Sequence, residues 1–98
     1  MSFYDDVYAF LLTVPRGKVV TYGSLAAAIG RPGAARAVGN ALHSNPCPEI
    51  YPCYRVVNSK GEPSAVFAFG GANEQLRLLK DDGVEINNGR VDLKKYHI

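Results

Sequence analysis

The segment Tyr51-Pro52-Cys53-Tyr54-Arg55-Val56-Val57 has the means for covalent chemistry. Proline fixes the backbone just before the thiol and removes an amide donor. Arg55-Val56-Val57 reads as a short strand just after it. A thiol held between the two is aimed before any substrate arrives, as nucleophilic chemistry needs. The same residues also fit a buried cysteine acting as a small hydrophobe, and the local sequence leaves both readings open. The other cysteine is Cys47. In a reducing compartment both stay thiols, so no disulfide between them is expected. A zinc site needs four ligands. The Cys and His side chains are His43, Cys47, Cys53 and His97, the last beside the chain end, so no metal is expected either.

The elements that must position this segment follow from periodicity. Ser2 with Asp5 three residues on is a weak variant of a capping box. Phe3, Val7, Phe10, Leu11 and Val14 then mark one face of an amphipathic helix that Pro15 ends. Arg16-Gly17-Lys18 is a basic turn and Val19-Val20 a short extended piece. Thr21 is a good N-cap for a second helix, with Tyr22, Leu25, Ala26 and Ile29 inward and Gly30 as its stop. After the turn Arg31-Pro32-Gly33, a third helix runs from about Ala34 to His43. Ala35, Val38 and Leu42 line one side of it, and Arg36, Asn40 and His43 the other. Two short helices joined by a Gly-containing turn read as a helix-turn-helix. Ala34, Ala37, Gly39 and Ala41 keep the third helix slim, so another backbone can approach it closely.

Three prolines make residues 45–53 irregular, and Asn58 to Gly71 reads largely as a loop. A fourth helix is expected over about Asn73 to Asp82, with Leu76 and Leu79 inward and Gly83 as its cap. Val84 to Ile86 and Arg90 to Leu93 flank Asn88-Gly89, a strong hairpin signal. The fold class is mainly α with small β pieces, close to a winged helix-turn-helix.

Composition bounds the partners. The 98 residues suit a single domain, 1–98, and 47% apolar residues allow one modest core. The longest apolar run, Val7 to Leu12, is far short of the ~20 residues that span a bilayer. The start of the chain lacks the basic-then-apolar pattern of a secretory signal. A net charge of +2 says little, but its distribution says more. Residues 1–60 carry six basic and three acidic side chains, whereas residues 61–98 carry five and six. The positive excess lies in the half with the helix-turn-helix, a mild electrostatic pointer to nucleic acid.

Pro52-Cys53-Tyr54-Arg55-Val56-Val57 resembles the Pro-Cys-His-Arg-Val-Val signature of the O6-alkylguanine DNA alkyltransferases. Gly17-Lys18-Val19-Val20-Thr21-Tyr22-Gly23 resembles the lead-in to that family's helix-turn-helix, and Ala34-Ala35-Arg36-Ala37-Val38-Gly39 its recognition helix. Asn45-Pro46 stands at the matching distance before the cysteine. Gly70-Gly71, Leu78-Leu79 and Asp82-Gly83 resemble its C-terminal half. Gly89-Arg90-Val91-Asp92-Leu93 with Tyr96 resembles the ending of the short alkyltransferase-like proteins, which also lack the separate N-terminal domain of longer members.

The resemblance implies roles. Cys53 matches the alkyl acceptor. Arg36 matches the arginine that fills the base stack when a nucleotide is flipped, a task suited to a planar cation. Tyr22 matches the tyrosine that presses on a phosphate, and Thr21, Ala35, Gly39 and Asn40 fall on the implied DNA face. Asn45 matches the asparagine that orders the turn before the cysteine. Val56, Val57 and Ser59, with Gly70 and Gly71, match the base pocket. The implied partner is double-stranded DNA containing alkylated guanine, with other repair proteins as further partners. The implied form is a monomer without cofactor, in the cytoplasm or in a eukaryotic nucleus. As simpler alternatives, Arg36 is an exposed helix arginine, Tyr22 a core aromatic, and the two valines strand packing.

Two positions depart from the family. Its histidine after the cysteine is Tyr54 here, and its glutamate is matched by Asp82. Histidine, through a water, takes the thiol proton in the family mechanism. A neutral phenol with pKa ~10 is a poor acceptor, and losing an efficient base costs ~10²–10⁴ in rate. Two functions follow. One is irreversible alkyl transfer to Cys53, favoured by the retained thiol. The other is non-enzymatic lesion sensing, favoured by the lost histidine. An ordinary helix-turn-helix regulator would leave the Pro-Cys-Tyr-Arg segment unexplained.

Overall fold

A computed structural model describes residues 2–64 and 69–98. Helix α1 spans Phe3–Leu11, and both halves of the Ser2–Asp5 capping box are present. It ends before Val14, which still packs into the core from the following turn. Strand β1 is Val20–Thr21, and Thr21 then caps α2, Tyr22–Ala28, by accepting from the Ser24 amide at 3.1 Å. Gly30, at φ +80°, turns the chain after α2. Helix α3 is Ala35–His43. The chain is irregular from Ser44 to Pro52. A 3₁₀ turn at Cys53–Arg55 then leads into β2, Val56–Val57, so Arg55 belongs to the turn and not the strand. Helix α4 is Gly71–Asp81. Strands β3, Ile86–Asn87, and β4, Arg90–Val91, pair as an antiparallel hairpin. Asn88 and Gly89, at φ +54° and +75°, form the type I′ turn that joins them. A short helix α5, Leu93–Tyr96, follows. The mainly helical fold with its small wing is the expected class.

The parallel pairing of β1 with β2, in register Val20↔Val56 and Thr21↔Val57, organises the molecule. Successive residues on a strand face opposite ways. Val20 and Val56 therefore enter one apolar cluster, with Val7, Leu11, Leu25, Val38 and Ala41 of the first three helices. Val19 and Val57 enter the other, with Leu79, Val84, Val91 and Tyr96. The same pairing sets the start of α2 level with Asn58, where the loop after β2 begins. The chain end is tied in by a parallel bridge between Val19 and His97. Among the described residues, no helix is long and apolar enough to cross a membrane.

Candidate functional site

An open cleft of about 750 Å³ lies between α3 and the loop after β2, within the size range of ligand sites. Cys53 lines it although only 3% exposed, and Tyr22, Ala35, Arg36, Gly39 and Asn40 line it too. Arg36 is exposed on α3 and makes no ion pair among the described residues. The Tyr22 ring lies beside Gly39, where a Cβ would meet it at an ordinary contact distance of 4.0 Å. Burial pushes the Tyr22 phenol up, against a hydrogen bond with Ser64.

The approach to Cys53 is built by two side chains. Asn45 is buried; its Nδ2 donates to the Tyr51 carbonyl at 2.8 Å, and its Oδ1 accepts from the Cys47 amide at 2.9 Å. Tyr8 of α1 donates to the Ala41 carbonyl at 2.8 Å and stacks on Tyr51 at 5.3 Å. Helices α1 and α3 are thereby both tied to the segment that delivers the thiol. Burial pushes the Cys53 thiol up, while the Asn45 side chain and the amides of residues 53 and 54 pull it down. Both cysteines are free thiols.

Behind Cys53 lies a closed polar triad. The Tyr54 hydroxyl donates to Asp82 Oδ1 at 2.9 Å, and Arg55 Nε donates to Asp82 Oδ2 at 2.8 Å. Arg55 Nη2 donates to the Tyr54 hydroxyl at 3.1 Å, and Nη1 to the Val14 carbonyl at 2.9 Å. The phenol thus gives its proton to a carboxylate and receives one from a guanidinium. Burial and the Asp82 hydrogen bond raise its pKa, and Arg55 lowers it. None of Asn45, Tyr54 and Asp82 lines the cleft, and the hydrogen bonds of the triad tie the turn to the end of α4 and to Val14.

The remaining expected positions fall elsewhere. Val56 and Val57, expected as pocket walls, have no exposed surface and lie in the two halves of the core, because β2 is covered on both faces. Ser59 is exposed in a turn and Gly70 and Gly71 form the start of α4, all three outside the cleft lining. Gly70 is required there, since a Cβ would run into the Glu74 side chain. Thr21 acts as the α2 cap.

Sequence reasoning missed Gln75. It is 1% exposed, on the face of α4 where Leu76 was expected to turn inward. Its Nε2 donates to the carbonyls of Tyr54 at 3.0 Å and Val56 at 2.8 Å, and its Oε1 accepts from the Ser64 amide at 2.9 Å. One amide thus ties the cysteine turn and the cleft loop to α4. An amphipathic pattern cannot reveal a buried glutamine, because hydropathy places it outside. His43, Asn58, Glu62 and Ser64 also line the cleft and were not expected. Among the described residues, no three metal-ligating side chains cluster.

Comparison with known proteins places these features in context. A "Bifunctional methyltransferase/endonuclease" of Picrophilus torridus is 45% identical over 98% of this chain, which spans 32% of that protein. A "DNA base-flipping protein" of Vibrio parahaemolyticus is 37% identical over 97% of the chain and 94% of its own. The Schizosaccharomyces pombe Atl1 structure, solved with damaged DNA containing O6-carboxymethylguanine, superposes with a TM-score of 0.86 at 36% identity, covering 98% of this chain and 94% of that one. The family model described as "6-O-methylguanine DNA methyltransferase, DNA binding domain" matches residues 2–84. With its helix-turn-helix and its cysteine turn both inside that match, the chain belongs to the family of the 6-O-methylguanine DNA methyltransferase DNA-binding domain.

Proposed function

We propose that this chain binds double-stranded DNA carrying O6-alkylguanine, turns the damaged nucleotide out of the stack and transfers its alkyl group irreversibly to Cys53. One observation carries the reading: a single cleft is lined by Cys53, by Tyr22 and by the Arg36 face of α3. Small residues at Ala35 and Gly39 let α3 approach the duplex. Arg36 replaces the extruded base, and Tyr22 presses on the phosphate beside it. Flipping costs a few kcal/mol, less at a damaged pair, and burial of the base in the cleft offsets it. The names of the Vibrio protein and of the Atl1 complex support this reading. The setting is the cytoplasm, or the nucleus of a eukaryotic cell.

In the transfer step, the sulfur attacks the alkyl carbon as the bond from that carbon to O6 breaks. The bonding electron pair leaves with guanine, which also receives the thiol proton. The sulfur becomes a thioether, and each molecule turns over once without a cofactor. Tyr54 is committed to Asp82 and is a poor proton acceptor, and burial raises the thiol, so only a small fraction of Cys53 is thiolate at neutral pH.

That commitment also favours a second reading: the domain recognises the lesion without transfer and hands it to other repair proteins. Incubation with a duplex containing O6-methylguanine, followed by intact mass spectrometry, decides between them. One added methyl group, absent in Cys53→Ala, supports transfer. Tight lesion binding with unchanged mass supports sensing. Failure to distinguish the lesion duplex from undamaged DNA would overturn both.

A further inference from the structure

The β3–β4 hairpin separates two hollows. Gly89 at its tip lines the Cys53 cleft, whereas its neighbours Asn88 and Arg90 line a second, open hollow of about 670 Å³. The loop after β2 is divided in the same way: Asn58 and Glu62 line the cleft, and Lys60 the second hollow. Positive charge dominates there. Lys60, Arg90 and Lys94 all line the hollow, all are exposed, and none makes an ion pair among the described residues. Arg16, Arg55, Arg77 and Lys95, by contrast, each pair with a carboxylate. The acid in the lining is Asp92, whose Oδ1 accepts from the Lys94 amide at 3.0 Å as the cap of α5. Three cations gathered without a counter-ion repel one another, so folding gains nothing from their convergence. Yet their positions are built. Asn58 Oδ1 accepts from the amides of Lys60 and Glu62, both at 2.9 Å, and the Val91 amide of β4 donates to the Gly61 carbonyl at 2.8 Å. Gly61, at φ +81°, passes so close to Val91 that a Cβ would strike its carbonyl. The loop with Lys60 and the strand with Arg90 are thereby fastened to each other.

We infer that this hollow on the wing holds the sugar-phosphate backbone of the lesion strand beside the extruded nucleotide, through Lys60, Arg90 and Lys94. The inference rests on the proposed flipping into the Cys53 cleft. A nucleotide turned into that cleft leaves its strand at the mouth, and the strand must continue over the rim. On this side the rim is the hairpin tip and the Asn58–Glu62 loop, and the three cations stand beyond it. The loop carries opposite charges on its two sides. Glu62 on the cleft side repels phosphates, and Lys60 on the other attracts them, which steers the backbone out of the base pocket and into the hollow. Lysine and arginine that neutralise phosphates add affinity by releasing counter-ions, and they fix register without reading sequence. An acidic protein segment has the same sign of charge, but a rim shared with the cleft that takes the base favours the duplex.

The test measures binding by fluorescence anisotropy over a series of salt concentrations, in a Cys53→Ala background that prevents transfer. Two duplexes carry O6-methylguanine or guanine at one position. A third carries O6-methylguanine with uncharged methylphosphonate linkages in place of the lesion-strand phosphates that flank it. On the first duplex, Lys60→Gln/Arg90→Gln/Lys94→Gln should lower the slope of log affinity against log salt by about 2 to 3, since each neutralised phosphate contributes about 0.9. Lys18→Gln/Lys80→Gln/Lys95→Gln removes the same charge from outside both hollows and should lower it by less than about 1. The wing variant should keep its preference for O6-methylguanine over guanine within about threefold, because phosphate contacts carry no base information. On the methylphosphonate duplex its loss of slope should shrink to less than about 1. An unchanged slope in the wing variant, the result for an acidic protein segment as occupant, overturns the inference. So does an equal loss in the control variant, or an undiminished loss on the methylphosphonate duplex, and each leaves the flipping reading standing. If the Cys53→Ala protein binds O6-methylguanine no better than guanine, the flipping reading falls and takes the inference with it.

Discussion

If Cys53 reacts without a side-chain base, the pH dependence of transfer must show it. Burial raises the thiol above the usual cysteine pKa of about 8.5, so under a few per cent is thiolate at pH 7. The single-turnover rate should therefore rise about tenfold per pH unit from about pH 6 to 8, with no plateau in that range. Tyr54→Phe deletes the hydroxyl that donates to Asp82. Because that hydroxyl already gives its proton away, the slope should persist and the rate at each pH should change by less than about threefold. Tyr54→His introduces a group that can hold a proton near neutrality. At pH 7 it should gain up to about 10²–10⁴ in rate, with a shallower slope. The assay is quenched-flow transfer from an O6-methylguanine duplex, each variant first checked for native circular dichroism. A wild-type plateau below pH 8, or a folded Tyr54→Phe that transfers far more slowly, would refute the reasoning and make the phenol part of the proton path.

Other outcomes follow from the same geometry. Arg55 and Asp82 pair at 2.8 Å with side chains only 15% and 8% exposed, so Arg55→Met should cost about 3 kcal/mol in urea unfolding. The double variant Arg55→Met/Asp82→Leu should recover most of that loss, and a loss under about 1 kcal/mol in the single variant would mean the pair is solvated. Gln75→Leu removes the donor to two carbonyls and the acceptor of the Ser64 amide. It should cost about 2–4 kcal/mol by the same measurement, and a neutral result would mean water replaces the amide. Arg36→Ala should weaken binding to a lesion duplex more than tenfold by anisotropy while leaving the thermal midpoint unchanged, because the side chain is exposed. Unaltered affinity would remove α3 from the DNA face.

The parts of the fold governed by local rules were legible in the sequence. The Ser2–Asp5 box, the Thr21 cap and the Asn88-Gly89 turn each depend on a few neighbouring residues, and each lies where its chemistry put it. The helix-turn-helix was legible for the same reason. Long-range pairing was not. Nothing near Val20 or Val56 shows that they pair in parallel, and that pairing, by burying β2 on both faces, removes Val56 and Val57 from the cleft. The buried Gln75 bonds main-chain groups 11 to 21 residues away, and the cleft loop is anchored at Gly61 by the Val91 amide, contacts that periodicity does not encode. Helix α5, only four residues long, has too few residues for a periodic signal. The segment expected as a loop up to Gly71 includes residues 65–68, outside the described residues.

A crystal structure of Cys53→Ser bound to a duplex with one O6-methylguanine would look directly at the contact on which alkyl transfer and lesion sensing both depend. The expected result is an extrahelical base in the cleft, its methyl carbon in van der Waals contact with residue 53 and the Arg36 guanidinium in the vacated stack. A base still paired in the duplex, with the residue 53 side chain facing only protein, would contradict both.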